Sequence, residues 1–339
     1  MIPQRLACLV VVASVSCRSS SHAPAPAALD VHVDRRVELL SIVERLSGAP
    51  EYQTAPRTTY ASDVDRVFGP FANHPAVAAA RALRTDHGIS YDAPMNVAIN
   101  LDASLHLQRT PDDARFNGVD LEPFVAQLRD FADQSGFDKF VASHRDYYTR
   151  VEERFRSSLE REKPDAWFDK FFGKGEHSRF VVVPGLLTGT WNFGPHTDDE
   201  RYQIVGLSHV DFDDLPVVDN ETLVLTVHEM AHSYVNPIVA SHRSELAASG
   251  ERLFVRVQDV MKKQAYTTWE IFIDEQLVRA VTALYTRERR GVAAADAQIA
   301  DEEKLGFTWT RPLVDKMEAG HASFTSQVPE LVRFFVEAQ

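Results

Sequence analysis

Three residues in the segment ETLVLTVHEMAHSYVNP, residues 221–237, have types and spacing that can do chemistry: His228, Glu229 and His232. On a helix of 3.6 residues per turn, positions i and i+4 stack on one face, so the two imidazoles project together and can share one Zn²⁺. Glu229 lies one step round from His228, where a carboxylate can reach a water beside the metal without itself being a ligand. That is the position of a general base that takes a proton during attack on a carbonyl and passes it to the leaving group. The flanking residues Leu225, Thr226, Val227, Met230, Ala231, Ser233 and Tyr234 are all uncharged, as expected of a helix packed against other structure. Burying two histidines and a glutamate there without partners would cost several kcal/mol, so the polar stripe needs a purpose.

A metal held by two histidines needs a third protein ligand, and one more helix can supply it. The stretch TTWEIFIDEQLVRAVTALYTRER, residues 267–289, offers Glu270, Asp274 and Glu275. Glu275 is the leading candidate, with Phe272, Leu277 and Val278 near it and Arg279 one turn on to orient the carboxylate. His242, Glu270 and Asp274 are the alternatives. A plain Glu275–Arg279 ion pair is compatible with either role. For the oxyanion, Tyr234, Tyr266, His209, His321 and Asn192 are all in play, and the sequence does not separate them.

These helices need a scaffold. RFVVVPGLL (179–187) is the strongest strand signal in the chain and RYQIVGLSHVDF (201–212) the next, so the two are expected to pair in a small sheet ahead of the motif helix. Between them GTWNFGPHTDDE is rich in turn formers, and Asp219 or Asn220 is the expected N-cap of the motif helix. Asn236-Pro237 should end that helix one turn after His232. Further upstream, residues 34–175 read as a helical subdomain, with apolar three-four spacing in VELLSIVERL, FVAQLRDFADQSG and YYTRVEERFRSSLE. PMNVAINLD, residues 94–102, alternates at Val97, Ile99 and Leu101 and is predicted to be a strand. Residues 176–339 then form the catalytic subdomain, and the fold class is α+β, mostly helical with a small sheet packed on the metal-binding helix.

The chain's 339 residues and 44% hydrophobic content can bury a substantial core. Its net charge of −13 and lack of a basic, aromatic-interleaved patch exclude nucleic acid as an expected partner. Both cysteines, Cys8 and Cys17, lie in the first seventeen residues, leaving the folded part without disulfides or cysteine ligands. Those residues, MIPQRLACLVVVASVSC, combine Arg5, an apolar run too short to span a membrane, and small residues, as a signal peptide does. Ser14-Val15-Ser16-Cys17 resembles a bacterial lipobox apart from Ser14, so the expected location is outside the cytoplasm, either periplasmic or tethered by a lipid on Cys17. The Ser/Ala/Pro-rich residues 18–33 would be the tether.

The decamer HEMAHSYVNP, with EQLVRA (275–280) downstream and FGPFANHPAV (68–77) upstream, resembles the bacterial family known as domain of unknown function 4932, over roughly residues 35 to 335. That resemblance implies a zincin-like fold, His228 and His232 as zinc ligands and Glu229 as acid/base, and it supplies no substrate. Zincins with three histidines carry Gly and His where this chain has Val235 and Ile238, so the gluzincin arrangement, with a Glu such as Glu275 from a later helix, is the expected one. The leading functional expectation is a zinc metallopeptidase acting on peptides or proteins. Two others stay open: a catalytically silent exported binding protein of the same fold, and a zinc amidase acting on a non-peptide substrate such as a cell-wall amide.

Overall fold

The computed structural model of the protein describes residues 29–111, 113–173, 179–264, 266–320 and 324–338. The signal-peptide segment 1–17, with Cys8 and Cys17, lies outside the described residues, as does most of the 18–33 tether. Strand β1 (Asp30–Val31) occupies the end of that tether. Helices α1 (Arg35–Ser47), α2 (Thr59–Phe68), α3 (Pro75–His87), α4 (Ala93–Ile99), α5 (Glu122–Ser135), α6 (Phe137–Ser143), α7 (Arg145–Glu162) and α8 (Pro164–Phe172) follow. After β2 (Arg179–Gly185) and β3 (Glu200–Gly206) come α9 (Asn220–Ser241), α10 (Arg243–Lys263), α11 (Trp269–Arg290), α12 (Val292–Lys304), α13 (Thr310–Ala319) and α14 (Phe324–Glu337).

Local chemistry accounts for the element ends. The Asp34 carboxylate caps α1 by accepting from the Arg36 amide at 2.8 Å, and Gly48 closes the helix at φ 83°, a left-handed conformation that favours glycine. Three departures from the sequence reading have physical causes. PMNVAINLD is not a strand: Ala93–Ile99 is helical with Pro94 in its first turn. Ala93, Pro94, Met95, Val97, Ala98 and Ile99 are all buried, and an element buried on every side loses the periodicity that separates helix from strand. Asn236-Pro237 does not end the motif helix, which runs on to Ser241. A proline inside a helix costs about 3 kcal/mol, and here burial of Val235 and Val239 on either side of it offsets that cost. Asp30 and Val31, read as tether, pair in parallel with Val181 and Val182.

The sheet is parallel throughout, in the order β1-β2-β3, with Val181 opposite Asp30 on one side and Tyr202 on the other. The short β2–β3 connection passes beyond β3 and folds back along its outer edge. There Phe193 exchanges backbone hydrogen bonds with Ile204 at 2.8 and 3.0 Å, and His196 bridges to Arg201 in antiparallel fashion. Buried residues of the sheet pack with α1 to α7, whereas α8 packs with α9 to α14. Helix α9 joins the two cores: Leu223 belongs to the first, and Val227, Met230, Ala231, Val235 and Val239 to the second. The packing boundary thus runs across α9, while the sequence reading divided the chain at 175. Among the described residues no helix is long and apolar enough to cross a membrane.

Candidate metal centre

Helix α9 starts where Asp219 accepts hydrogen bonds from the Thr222 amide at 2.9 Å and its hydroxyl at 3.0 Å. With the apolar residues of α9 committed to the two cores, the third face carries the His-Glu-x-x-His residues. His228 and His232 meet with their Nε2 atoms 3.3 Å apart and their rings edge to face. Helix α11, buried on most sides between α9 and its other neighbours, sets Glu275 opposite them. Its Oε2 lies 3.6 Å from His228 Nε2 and its Oε1 3.4 Å from His232 Nε2. One ligand atom from each of the three residues therefore lies within 4.8 Å of the others.

The surroundings fit a cation at that point. Asn236, one turn beyond His232, accepts through Oδ1 from His232 Nδ1 at 3.0 Å, which leaves the Nε2 lone pair directed at the centre. Glu275 Oε2 is buried without a hydrogen bond, although the Arg279 guanidinium lies 3.0 Å away. Arg279 is itself held by Glu302, by the Tyr266 hydroxyl at 3.1 Å and by the Phe307 ring, 3.8 Å beneath it. Two imidazoles and one carboxylate make a donor set that leaves further coordination positions for solvent or substrate.

The electrostatics point the same way. Burial alone would raise the Glu275 carboxyl, but the hydrogen bond it accepts from His232, the nearby His228 imidazole and the charges of His232 and Arg279 hold it down at about 2. Burial likewise opposes charge on His232, and the same carboxylate overrides it and raises the imidazole to about 9. His228, with burial dominant, falls to about 3 and stays neutral. Without an ion the trio thus keeps a proton between His232 and Glu275, and a divalent cation would displace it. Burial raises Glu229 above the ordinary carboxylate range.

Glu229 and His232 open onto a cavity of about 570 Å³ whose opposite wall is formed by Phe180, Tyr202, Arg201 and the returning segment at Gly194 and His196. A Cβ on Gly194 would stand 3.1 Å from Glu229 Oε2, so the glycine keeps that carboxylate accessible. Pro237 has no amide hydrogen, so the Ser233 carbonyl lacks its helical donor, and both residues line the same cavity.

The model of the family described as domain of unknown function (DUF4932) matches residues 29–337. The chain belongs to that family. No curated protein and no solved structure matches it.

Of the third-ligand candidates in this DUF4932 domain, Glu275 alone joins the histidines. Glu270 is paired with Arg243 at 2.7 Å and His242 with Glu245 at 2.8 Å. Asp274 lies outside the ligand group, its carboxyl raised to about 7 by burial. Tyr234 stacks on Phe168 and Phe172, away from the histidine face. His209 and Asn192 line a separate cavity of about 320 Å³ near the start of α9. Asn192 is further committed to the sheet, its Oδ1 accepting from the Gly206 amide at 2.9 Å. Tyr266 is tied to Arg279, and His321 lies outside the described residues. The sequence reading missed Asn236, Gly194 and Arg201. Only Asn236 carried a local signal, being four residues beyond His232 as His232 is beyond His228.

Proposed function

We propose that this DUF4932 protein is an exported zinc-dependent hydrolase, and specifically a metallopeptidase. The observation that carries the reading is the convergence of His228, His232 and Glu275 beside Glu229 at the wall of an open cavity large enough for a peptide segment. Two nitrogens and one oxygen with open positions form a donor set suited to zinc at a catalytic site. Zinc in such a site supplies a Lewis acid for a carbonyl and lowers the pKa of water. Glu229 takes the proton from the water whose oxygen adds to the scissile carbonyl carbon. It returns that proton to the amine as the C–N bond breaks, giving one carboxylate product and one amine product. Burial, by raising the Glu229 carboxyl, makes it a better proton acceptor than an exposed glutamate. Asn236 holds the His232 ring and Arg279 holds the Glu275 carboxylate, so both are positioning residues. Export rests on the signal-peptide pattern of the first seventeen residues, with Cys17 as the candidate lipid attachment point.

The test is metal content by elemental analysis of the purified chain, beside His232→Ala, Glu275→Ala and Glu229→Gln. About one zinc per chain is expected in wild type and in Glu229→Gln, and near none in the other two. Peptide-library turnover should fall by roughly 10²- to 10⁴-fold in Glu229→Gln. A wild-type chain that stays zinc-free in metal-replete medium, or a Glu229→Gln chain that still turns over, would sink the reading. Function retained without Glu229 would favour the binding-protein alternative.

A further inference from the structure

The cavity wall facing α9 holds a charge that the hydrolytic chemistry does not use. Arg201 is on β3, beside Phe180 in the β2 register, and both residues line the cavity opposite Glu229 and His232. Its NH1 donates to the Thr197 carbonyl at 2.9 Å, within the turn that brings 193–197 back along β3. This contact fixes the guanidinium at the cleft wall and occupies one of its five N–H donors. Among the described residues no carboxylate lies within ion-pair distance of it. Glu200, its neighbour in sequence, is taken up by Arg179 at 3.2 Å and by the Tyr202 hydroxyl, and Asp198 is paired with Arg109 at 2.5 Å and feels Arg201 only at longer range.

Among the described residues that line the cavity, Arg201 alone carries a permanent positive charge and Glu229 alone is a carboxylate. An arginine fork with free donors is built for the planar, two-oxygen face of a carboxylate. A phosphate dianion would meet a single guanidinium against the negative charge of Glu229, whereas a monoanion balances that guanidinium. We infer that Arg201 forms a carboxylate-recognising subsite of the metal cleft, so that the substrates are peptides presenting a carboxylate near the bond to be cut. The carboxylate is either an Asp/Glu side chain or a free C-terminus. This rests on the hydrolase reading above and narrows its substrate class.

The experiment reads binding apart from turnover. The full-length chain carrying Glu229→Gln, zinc-loaded, is titrated with N-acetylated hexapeptides in which Glu or Gln is walked through each position, each with a free or an amidated C-terminus. At one position, or at the C-terminus, loss of the carboxylate should weaken binding by about ten-fold or more, as expected for a hydrogen-bonded charge pair. That preference should vanish on adding Arg201→Gln and be partly kept with Arg201→Lys, while thermal melting confirms that both chains fold. Dependence on a Glu position identifies an acidic side chain; dependence on amidation identifies the C-terminus. Equal affinity for charged and neutral partners, binding of no member, or a preference that survives Arg201→Gln overturns the subsite. Wild-type hydrolysis of the same peptides separates the two conclusions. Cleavage without carboxylate preference overturns the subsite and leaves the hydrolase standing. Carboxylate-dependent binding without cleavage supports the subsite and overturns the hydrolase.

Discussion

Glu275 on α11 and Glu38 on α1 are both carboxyls held inside the protein, 6% and 1% exposed, yet their neighbours give them opposite charge. Glu275 faces two imidazoles and a guanidinium, and these outweigh burial and keep it anionic. Glu38 faces hydroxyls. Burial pushes it up to about 8, and the hydrogen bond donated by Tyr60, itself 3.0 Å from the Tyr148 hydroxyl, offsets only part of that rise. At neutral pH Glu38 therefore keeps its proton and serves packing, while Glu275 is ready to bind a cation. A buried carboxyl becomes a ligand only where the fold also buries cations to hold it in its charged form.

The comparison breaks most visibly at Arg279. Arg279→Met would leave Glu275 and Glu302 without their shared counter-charge and should cost about 3–5 kcal/mol of stability in urea unfolding of the metal-free chain. Below about pH 4.5, where Glu38 carries its proton in the folded and the unfolded chain alike, Glu38→Gln should change stability by about 1 kcal/mol or less, since it replaces a neutral group with a neutral one. An Arg279→Met chain as stable as wild type would remove the cation from the account of why Glu275 is charged.

A smaller effect distinguishes the two carboxyls by pH. Because the folded pKa of Glu38 lies above the ordinary 4.5, at about 8, its contribution is complete below about pH 4.5, where both states carry the proton. As pH rises from there to 8 the unfolded chain ionises first, and stability falls by at most about 1.4 kcal/mol per unit. Glu38→Gln should flatten that slope and gain on wild type by about 3 kcal/mol between pH 5 and pH 8, read from urea midpoints. Parallel midpoints for the two chains across that range would mean that Glu38 is already ionised in the fold.

The parts of the site that lie on one helix were legible because their geometry is local. His228, Glu229 and His232 need only the helical repeat, and Asp219 only the capping preference of a short acidic side chain. Glu275 was legible through ligand chemistry, which narrowed a tertiary question to a few residues on α11. What escaped depends on burial or on chain return. Helix α4 (Ala93–Ile99) is buried at every position but Asn96, and Pro237 is tolerated because of what packs beside it. Gly194 reaches the cleft, and the Arg201 guanidinium is held at its wall by the Thr197 carbonyl, because residues 193–197 fold back on β3. No spacing in the sequence marks that return, since the turn formers around it are compatible with many loop paths.

Asn236 offers a finer cut, between ligand and support. Asn236→Ala removes the acceptor for His232 Nδ1 and frees the ring to rotate, so zinc affinity should fall by about ten- to a hundred-fold. Competition with a chromophoric chelator measures it. The loss should be smaller than for Glu275→Ala, and an affinity unchanged by Asn236→Ala would mean that packing alone orients the imidazole.

The smallest effect tests the opposite wall. Gly194→Ala adds one methyl group 3.1 Å from Glu229 Oε2, inside ordinary contact distance, and touches neither histidine nor Glu275. Zinc content should be unchanged, because the ligands do not move. The carboxylate must shift by a few tenths of an ångström or the returning strand must give, and a base held away from its proton loses part of its effect. Turnover should fall by less than about ten-fold, equivalent to about 1.4 kcal/mol in the barrier. Loss of zinc in this variant would mean that β3 and its returning segment help hold the metal trio, and that the two walls of the cleft are a single unit. Unchanged zinc with reduced turnover would keep them separate, with the metal positioned by α9 and α11 and access to Glu229 set by the sheet edge.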